Sequence, residues 1–281
     1  MPGYNHALVA VDGSAASLHA FREAARLPGL RLTAIAVAPS GQAGLAGAEG
    51  GKITPKKREP YEQALAAAAR LARDAGVPLT TLLAEGEPQA RIVAAAETQG
   101  CDLIIMGVTG LDALKLGMMG STTARVIGLS RREVLVVPPQ ATLGFGKLLL
   151  ATDGSRYSRE AAARALDLVQ AYGGELAVAS VLDLPPGFME ETPEVAGELL
   201  ERLKSLVGEV TRKAQGLALP CQEYVRLGPV YRVITDLARE LKVDLIVMGS
   251  HGRTGSKRLL MGSVTERVIG FAPCPVLVVK A

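Results

Sequence analysis

The sequence predicts two tandem α/β domains, each a parallel sheet with helices on both faces. Three observations carry this reading. The chain has 281 residues, enough for two domains of ordinary size with their own cores. Residues 102–138 and 244–280 align at a constant offset of 142, with 19 of 37 positions identical, which marks an internal duplication. Short apolar runs alternate with helix-like segments along both halves, the pattern of strand–helix–strand units. The domains are placed at 1–140 and 144–281, with residues 139–146, which hold Pro139 and two glycines, as the linker.

The first half opens with an apolar strand over 7–11, then Asp12-Gly13-Ser14. Ser14 is placed to cap a helix running to residue 27. A second strand covers 32–37. Residues 38–54 are rich in Gly and Ala without periodicity and read as a long loop. Pro55 starts a helix that ends near Gly76, with Leu65 and Leu71 on an Ala-rich face. A strand over 79–84, a helix over 88–99 and a strand over 103–106 follow, and Glu133-Val-Leu-Val-Val-Pro138 closes the half. The second half repeats this order. A strand over 148–151 leads to Asp153-Gly154-Ser155, then a helix over 156–172, a strand over 175–182 and a helix over 192–215. A strand over 219–227, a helix over 229–242, a strand over 245–248 and a last strand over 275–279 complete it.

Composition narrows the function classes. The chain is 48% hydrophobic and 21% charged, a globular balance, and its net charge of +3 is too small to point to a polyanion. Aromatic residues make up 4% with no Trp, which argues against a base-stacking platform for nucleic acid. No basic segment followed by an apolar core opens the chain, and no apolar run reaches the ~18 residues of a membrane span. The expectation is a cytoplasmic protein with no membrane contact. Cys101, Cys221 and Cys274 fit no metal spacing and are expected to be free thiols. Three histidines, His6, His19 and His251, are too few for a zinc centre or a Ser-His-Asp triad. His6 is assigned to a strand start and His19 to a helix.

The chemistry-bearing motif is G-x2-G-x9-G-S. It occurs as Gly107, Gly110, Gly120 and Ser121, and again as Gly249, Gly252, Gly262 and Ser263. Each copy follows an apolar strand and precedes a helix. Strand, glycine-rich loop and helix start is the arrangement that cradles phosphates, because glycines allow close backbone approach and the first N–H groups of a helix are unpaired. The competing reading is that the glycines serve only loop turns. Asp12 and Asp153 follow the first strand of each half, so they belong at the same carboxyl-end crevice as the glycine loops. Their competing reading is an Asp-Gly turn that closes a strand.

On these residues the chain resembles the universal stress protein family in its tandem, ATP-binding form. Both glycine motifs match the family pattern, as do Val11-Asp12-Gly13-Ser14, Thr152-Asp153-Gly154-Ser155 and Ala272-Pro-Cys-Pro-Val276. The resemblance implies a Rossmann-like, adenine nucleotide α-hydrolase-like fold with five parallel strands in the order 3-2-1-4-5. It implies ATP as ligand, with Mg2+ as an optional companion of the phosphates. The adenine would sit near Asp12 and Val37 in one half, and near Asp153 and Val181 in the other. Ribose and phosphates would be held by the glycines with Ser121 or Ser263. The flanking Met106, Thr122, Met248, Arg253 and Val264 complete the candidate set. The resemblance also implies that the halves pair through their last strands, 134–137 and 276–279, and leaves a homodimer open.

The first copy departs from the second in places. Thr109 stands where the second has His251, and Arg131-Arg132-Glu133 replaces Pro273-Cys-Pro275. The first loop carries Lys115 and Asp112, while the second carries Arg253, Lys257 and Arg258. A triphosphate is therefore expected to bind more tightly in the second half, unless those cations simply point to solvent. Two functions compete: a nucleotide-dependent stress-response or regulatory module with slow or no hydrolysis, and an adenylate-processing enzyme on the same fold. Neither a Walker Gly-Lys-[Ser/Thr] nor an S-G-G-x-D-S loop is present, and His251 is the one evident base in the loops, which favours the first.

Overall fold

The computed structural model of the chain describes residues 4–39, 55–109, 119–252 and 261–281. The chain divides into two compact units, Gly3–Gln140 and Ala141–Ala281. The first contains β1 (His6–Ala10), α1 (Ala15–Ala25), β2 (Arg31–Ala38), α2 (Pro55–Asp74), β3 (Leu79–Glu85), α3 (Pro88–Thr98), β4 (Leu103–Gly107), α4 (Ser121–Leu129) and β5 (Glu133–Val137). Its strands are parallel and run β3-β2-β1-β4-β5. The second contains β6 (Lys147–Ala151), α5 (Arg156–Tyr172), β7 (Glu175–Leu182), α6 (Phe188–Glu191), α7 (Pro193–Gly216), β8 (Cys221–Leu227), α8 (Val230–Leu241), β9 (Leu245–Gly249), α9 (Ser263–Phe271) and β10 (Val276–Val279). Its strands, also parallel, run β8-β7-β6-β9-β10.

Central strands read as unbroken apolar runs because both faces of a parallel sheet are covered. Leu8, Ile104 and Leu135 in the first unit are fully buried, as are Leu149, Ile246 and Leu277 in the second. Each such side chain contributes roughly 1.5–3 kcal/mol of burial free energy. The outer strands β3 and β8 are only partly covered, and charged residues such as Glu85 and Glu223 stand on them exposed.

Each half secures its first strand with an aspartate from the start of its fourth. Asp102 Oδ2 accepts the backbone N–H of Asn5 at 2.8 Å and of His6 at 3.2 Å. Asp244 Oδ2 accepts that of Lys147 at 2.8 Å. These two aspartates are related by the offset of the duplication, so one sequence feature builds the same clamp twice.

The helix expected over 192–215 is present as α7, and the short α6 precedes it as a separate element. Pro193 occupies the first position of α7, where a missing N–H costs nothing. Thr192 before it is non-helical, with φ −137° and ψ 62°, and donates both its N–H and its hydroxyl to the Phe188 carbonyl, which closes α6. On α2 the buried stripe is Ala64, Leu65, Ala68 and Ala72, and Leu71 is half-exposed. The loop expected over 38–54 lies, from residue 40 onward, outside the described residues. Among the described residues, no helix is long and apolar enough to cross a membrane. No group of three or more His, Cys, Asp and Glu is placed to hold a metal ion there either.

Candidate functional site

In the second half, the sheet reverses direction of winding between β6 and β9, and both strands end at the same crevice. Thr152, Asp153 and Gly154 leave β6. Asp153 Oδ1 accepts the Ser155 N–H at 2.9 Å, and Gly154 takes φ +78° to make that turn. Ser155 then caps α5 by accepting the Ser158 N–H at 3.2 Å. The Asp-Gly turn is therefore real, and it leaves the Asp153 side chain at the crevice.

Gly249 ends β9, and the loop it begins returns to the same place. The Gly262 N–H donates to the Ser250 carbonyl at 2.9 Å. Thr265 Oγ1, from the first turn of α9, donates to the Gly249 carbonyl at 3.0 Å. Strand end and helix start are thus riveted together. Gly262 is the N-cap of α9 and supplies no side chain to the first-turn N–H groups, which leaves that helix start open to an anion.

These pieces enclose a cleft of about 270 Å³. Its apolar wall is Ala151, Ala179, Val181, Val230, Ile234 and Met248. Its polar end is Asp153, His251, Gly249, Gly252, Gly262 and Ser263, with Thr152, Ser158, Val264 and Thr265 beside them. Eight residues of the sequence-derived set therefore line one space: Asp153, Val181, Met248, Gly249, Gly252, Gly262, Ser263 and Val264. Arg253 lies outside the described residues, as do Lys257 and Arg258. His251 Nδ1 is 3.1 Å from Ser250 Oγ, and its ring packs tilted on Tyr157 at 5.1 Å between centroids. Chemically, the cleft offers an apolar wall, a carboxylate acceptor and a helix N-terminus.

In the first half Asp12, Gly107 and the start of α4 follow the same plan. Ser14 N–H donates to Asp12 Oδ1 at 2.9 Å, with Gly13 at φ +86°. The Gly120 N–H donates to the Val108 carbonyl at 2.8 Å, and Thr123 Oγ1 donates to the Gly107 carbonyl at 3.1 Å. Gly120 caps α4 without a side-chain bond, and Ser121 and Thr122 form its first turn. Val37 and Met106 are buried on β2 and β4. Gly110, Asp112 and Lys115 lie outside the described residues.

The reading from sequence missed Thr123 and Thr265. They stand at equivalent places in the duplication, and that identity was the available signal. It also missed Ala179, Val230 and Ile234, which carry no motif and reach the cleft only through strand register and helix packing.

The model of the universal stress protein family matches residues 3–138 and again 144–280. The chain belongs to the universal stress protein family. A universal stress protein of Methanocaldococcus jannaschii is 37% identical over 141 residues, spanning 48% of this chain and 82% of that protein. One from Mycolicibacterium smegmatis is 28% identical over 297 residues, 97% of this chain and 96% of that protein, so the tandem arrangement runs through both. The crystal structure of a universal stress protein from Archaeoglobus fulgidus superposes with a TM-score of 0.72 at 22% identity, covering 98% of this chain and 96% of that one. At that identity the likeness speaks for the fold.

Proposed function

We propose that this universal stress protein binds ATP in the second-half cleft and acts as a nucleotide-dependent stress-response or regulatory module, with slow or no hydrolysis. The observation that carries the reading is convergence. An apolar slot, the Asp153 carboxylate, the two ends of the glycine loop and an uncapped helix start border one space. The slot suits a purine ring, Asp153 suits the ribose hydroxyls, and the α9 start suits phosphate oxygens. Mg2+ would arrive with the phosphates, since Asp153 is the single carboxylate lining the cleft among the described residues.

Asp153 and His251 are the ionisable side chains lining the cleft among the described residues. That is a thin outfit for acid–base catalysis, which favours holding ATP over turning it over. His251 is the observation that would favour an adenylate-processing enzyme instead. The test is to denature the purified full-length protein and identify the released nucleotide, with calorimetric titration of wild type and Asp153→Ala. Intact ATP, and weaker binding in the variant, support the reading. Steady conversion to ADP that stops in His251→Ala supports the enzyme. Absence of nucleotide binding overturns both.

A further inference from the structure

Gly249, Gly252 and Gly262 all border the second-half cleft, and a methyl group on each would meet something different. On Gly249 it would run into the main chain of α5, and on Gly262 it would meet nothing nearer than 3.4 Å. On Gly252 it would lie 2.8 Å from Asp153 Oδ2. The next atom within reach, among the described residues beyond its chain neighbours, is Cγ of the same carboxyl group at 3.9 Å. The space over Gly252 is therefore shared with one side chain, and that side chain is the carboxylate of the cleft.

The carboxylate is also held from its other oxygen. Asp153 Oδ1 accepts the Ser155 N–H at 2.9 Å, inside the turn that leaves β6. With Oδ1 tied to that turn, Oδ2 stands on the side of the glycine loop. A methyl at residue 252 falls well inside van der Waals contact of Oδ2, so either the loop or the carboxylate has to give way. The loop is anchored on both sides of Gly252. The Ser250 N–H donates to the Val279 carbonyl at 3.0 Å, and the Gly262 N–H donates to the Ser250 carbonyl at 2.9 Å. The carboxylate yields more easily, because the terminal torsion of an aspartate is broad. The φ of Gly252 lies outside the left-handed region, so alanine brings no backbone strain of its own there. A side chain at 252 thus leaves the fold in place and turns the Asp153 carboxylate.

We propose that Gly252 is a positioning residue for Asp153: its bare Cα leaves the space in which the carboxylate faces the nucleotide, and a side chain there weakens binding by displacing that carboxylate. The inference rests on the reading of the second-half cleft as an ATP site.

A double-mutant cycle on the full-length protein, read by calorimetric titration with ATP, tests it. Gly252→Ala is expected to weaken binding by about tenfold while the urea midpoint is kept, and Asp153→Ala to weaken it at least as much. The double variant should bind within about twofold of Asp153→Ala, because no carboxylate remains to be displaced. A residue that served only the loop or the phosphates would cost the same in both backgrounds. Wild-type affinity in Gly252→Ala, or a further loss beyond about twofold in the double variant, would overturn the inference and leave the ATP reading standing. If Asp153→Ala binds too weakly to measure, a crystal structure of nucleotide-free Gly252→Ala decides the matter. A turned carboxylate supports the inference, and an unmoved carboxylate beside a shifted loop overturns it. No binding by wild type would instead remove the ATP reading itself.

Discussion

A methyl group placed on Gly249 would lie 2.6 Å from the Cβ of Tyr157 and 2.8 Å from its carbonyl carbon. The same construction on Gly107 meets the Ala16 backbone at 3.0 Å. Both glycines stand where a helix passes close over the end of a strand, so packing requires them whether or not a ligand binds. Gly262 differs. Its nearest neighbour would be His251 Cα at 3.4 Å, and its φ of −68° suits any residue. Gly249→Ala is therefore expected to destabilise the second half by about 1–3 kcal/mol. Gly262→Ala is expected to stay within about 0.5 kcal/mol of wild type. Urea unfolding of the two variants checks this. If Gly262→Ala keeps its stability and loses ATP affinity in calorimetry, the loss reports crowding of the ligand. If it loses neither, Gly262 serves only the turn.

At the scale of elements, β1 begins with a buried histidine. His6 Nε2 lies 2.8 Å from Thr33 Oγ1, and Nδ1 accepts from Arg31 Nη2 at 3.1 Å. Burial first, and the Arg31 guanidinium next, hold the imidazole below its ordinary value of 6.5, against weaker opposing effects of the Gln99 backbone and Asp102. The unfolded chain takes up this proton near its ordinary value, and the folded chain only at lower pH. The contribution of His6 is therefore complete above about pH 6.5 and is lost as pH falls through that value towards the lowered one. The urea midpoint of the first half should drop between pH 7 and pH 5, and His6→Gln should flatten that drop. The rivet on α9 is tested by Thr265→Val, expected to cost about 1 kcal/mol through the unpaired Gly249 carbonyl. Much of this scale was legible from residues alone. Central strands announced themselves as apolar runs, and the helix starts as serines after Asp-Gly. The cleft was half legible. Its polar end sits on local motifs, whereas Ala179 and Ile234 reach it through pairing across β6–β7 and packing of α8, which no short pattern records. The short α6 was not legible, because the four residues Phe188–Glu191 are too few for a helical period to show.

At the scale of the whole molecule, each half carries its own buried thiol. Burial pushes Cys101 up to about 11 and Cys274 up to about 12, so neither supplies thiolate in the folded state. Cys221, half-buried on β8, should react first with a thiol reagent in the native protein. Cys101 and Cys274 should then label only as their own half opens. With ATP at about 100-fold over its dissociation constant, the bound half gains about 2.7 kcal/mol. Labelling of Cys274 should slow accordingly, and mass spectrometry of time points reads it. Labelling of Cys274 that does not change with ATP would contradict a second-half site. The hydroxyl of Thr123 on the Gly107 carbonyl bears on how such a chain diverges. It holds strand end to helix start without reference to any ligand. After a duplication, one copy can therefore give up its ligand and still inherit an intact scaffold, leaving its surface free to take on a separate task under separate selection.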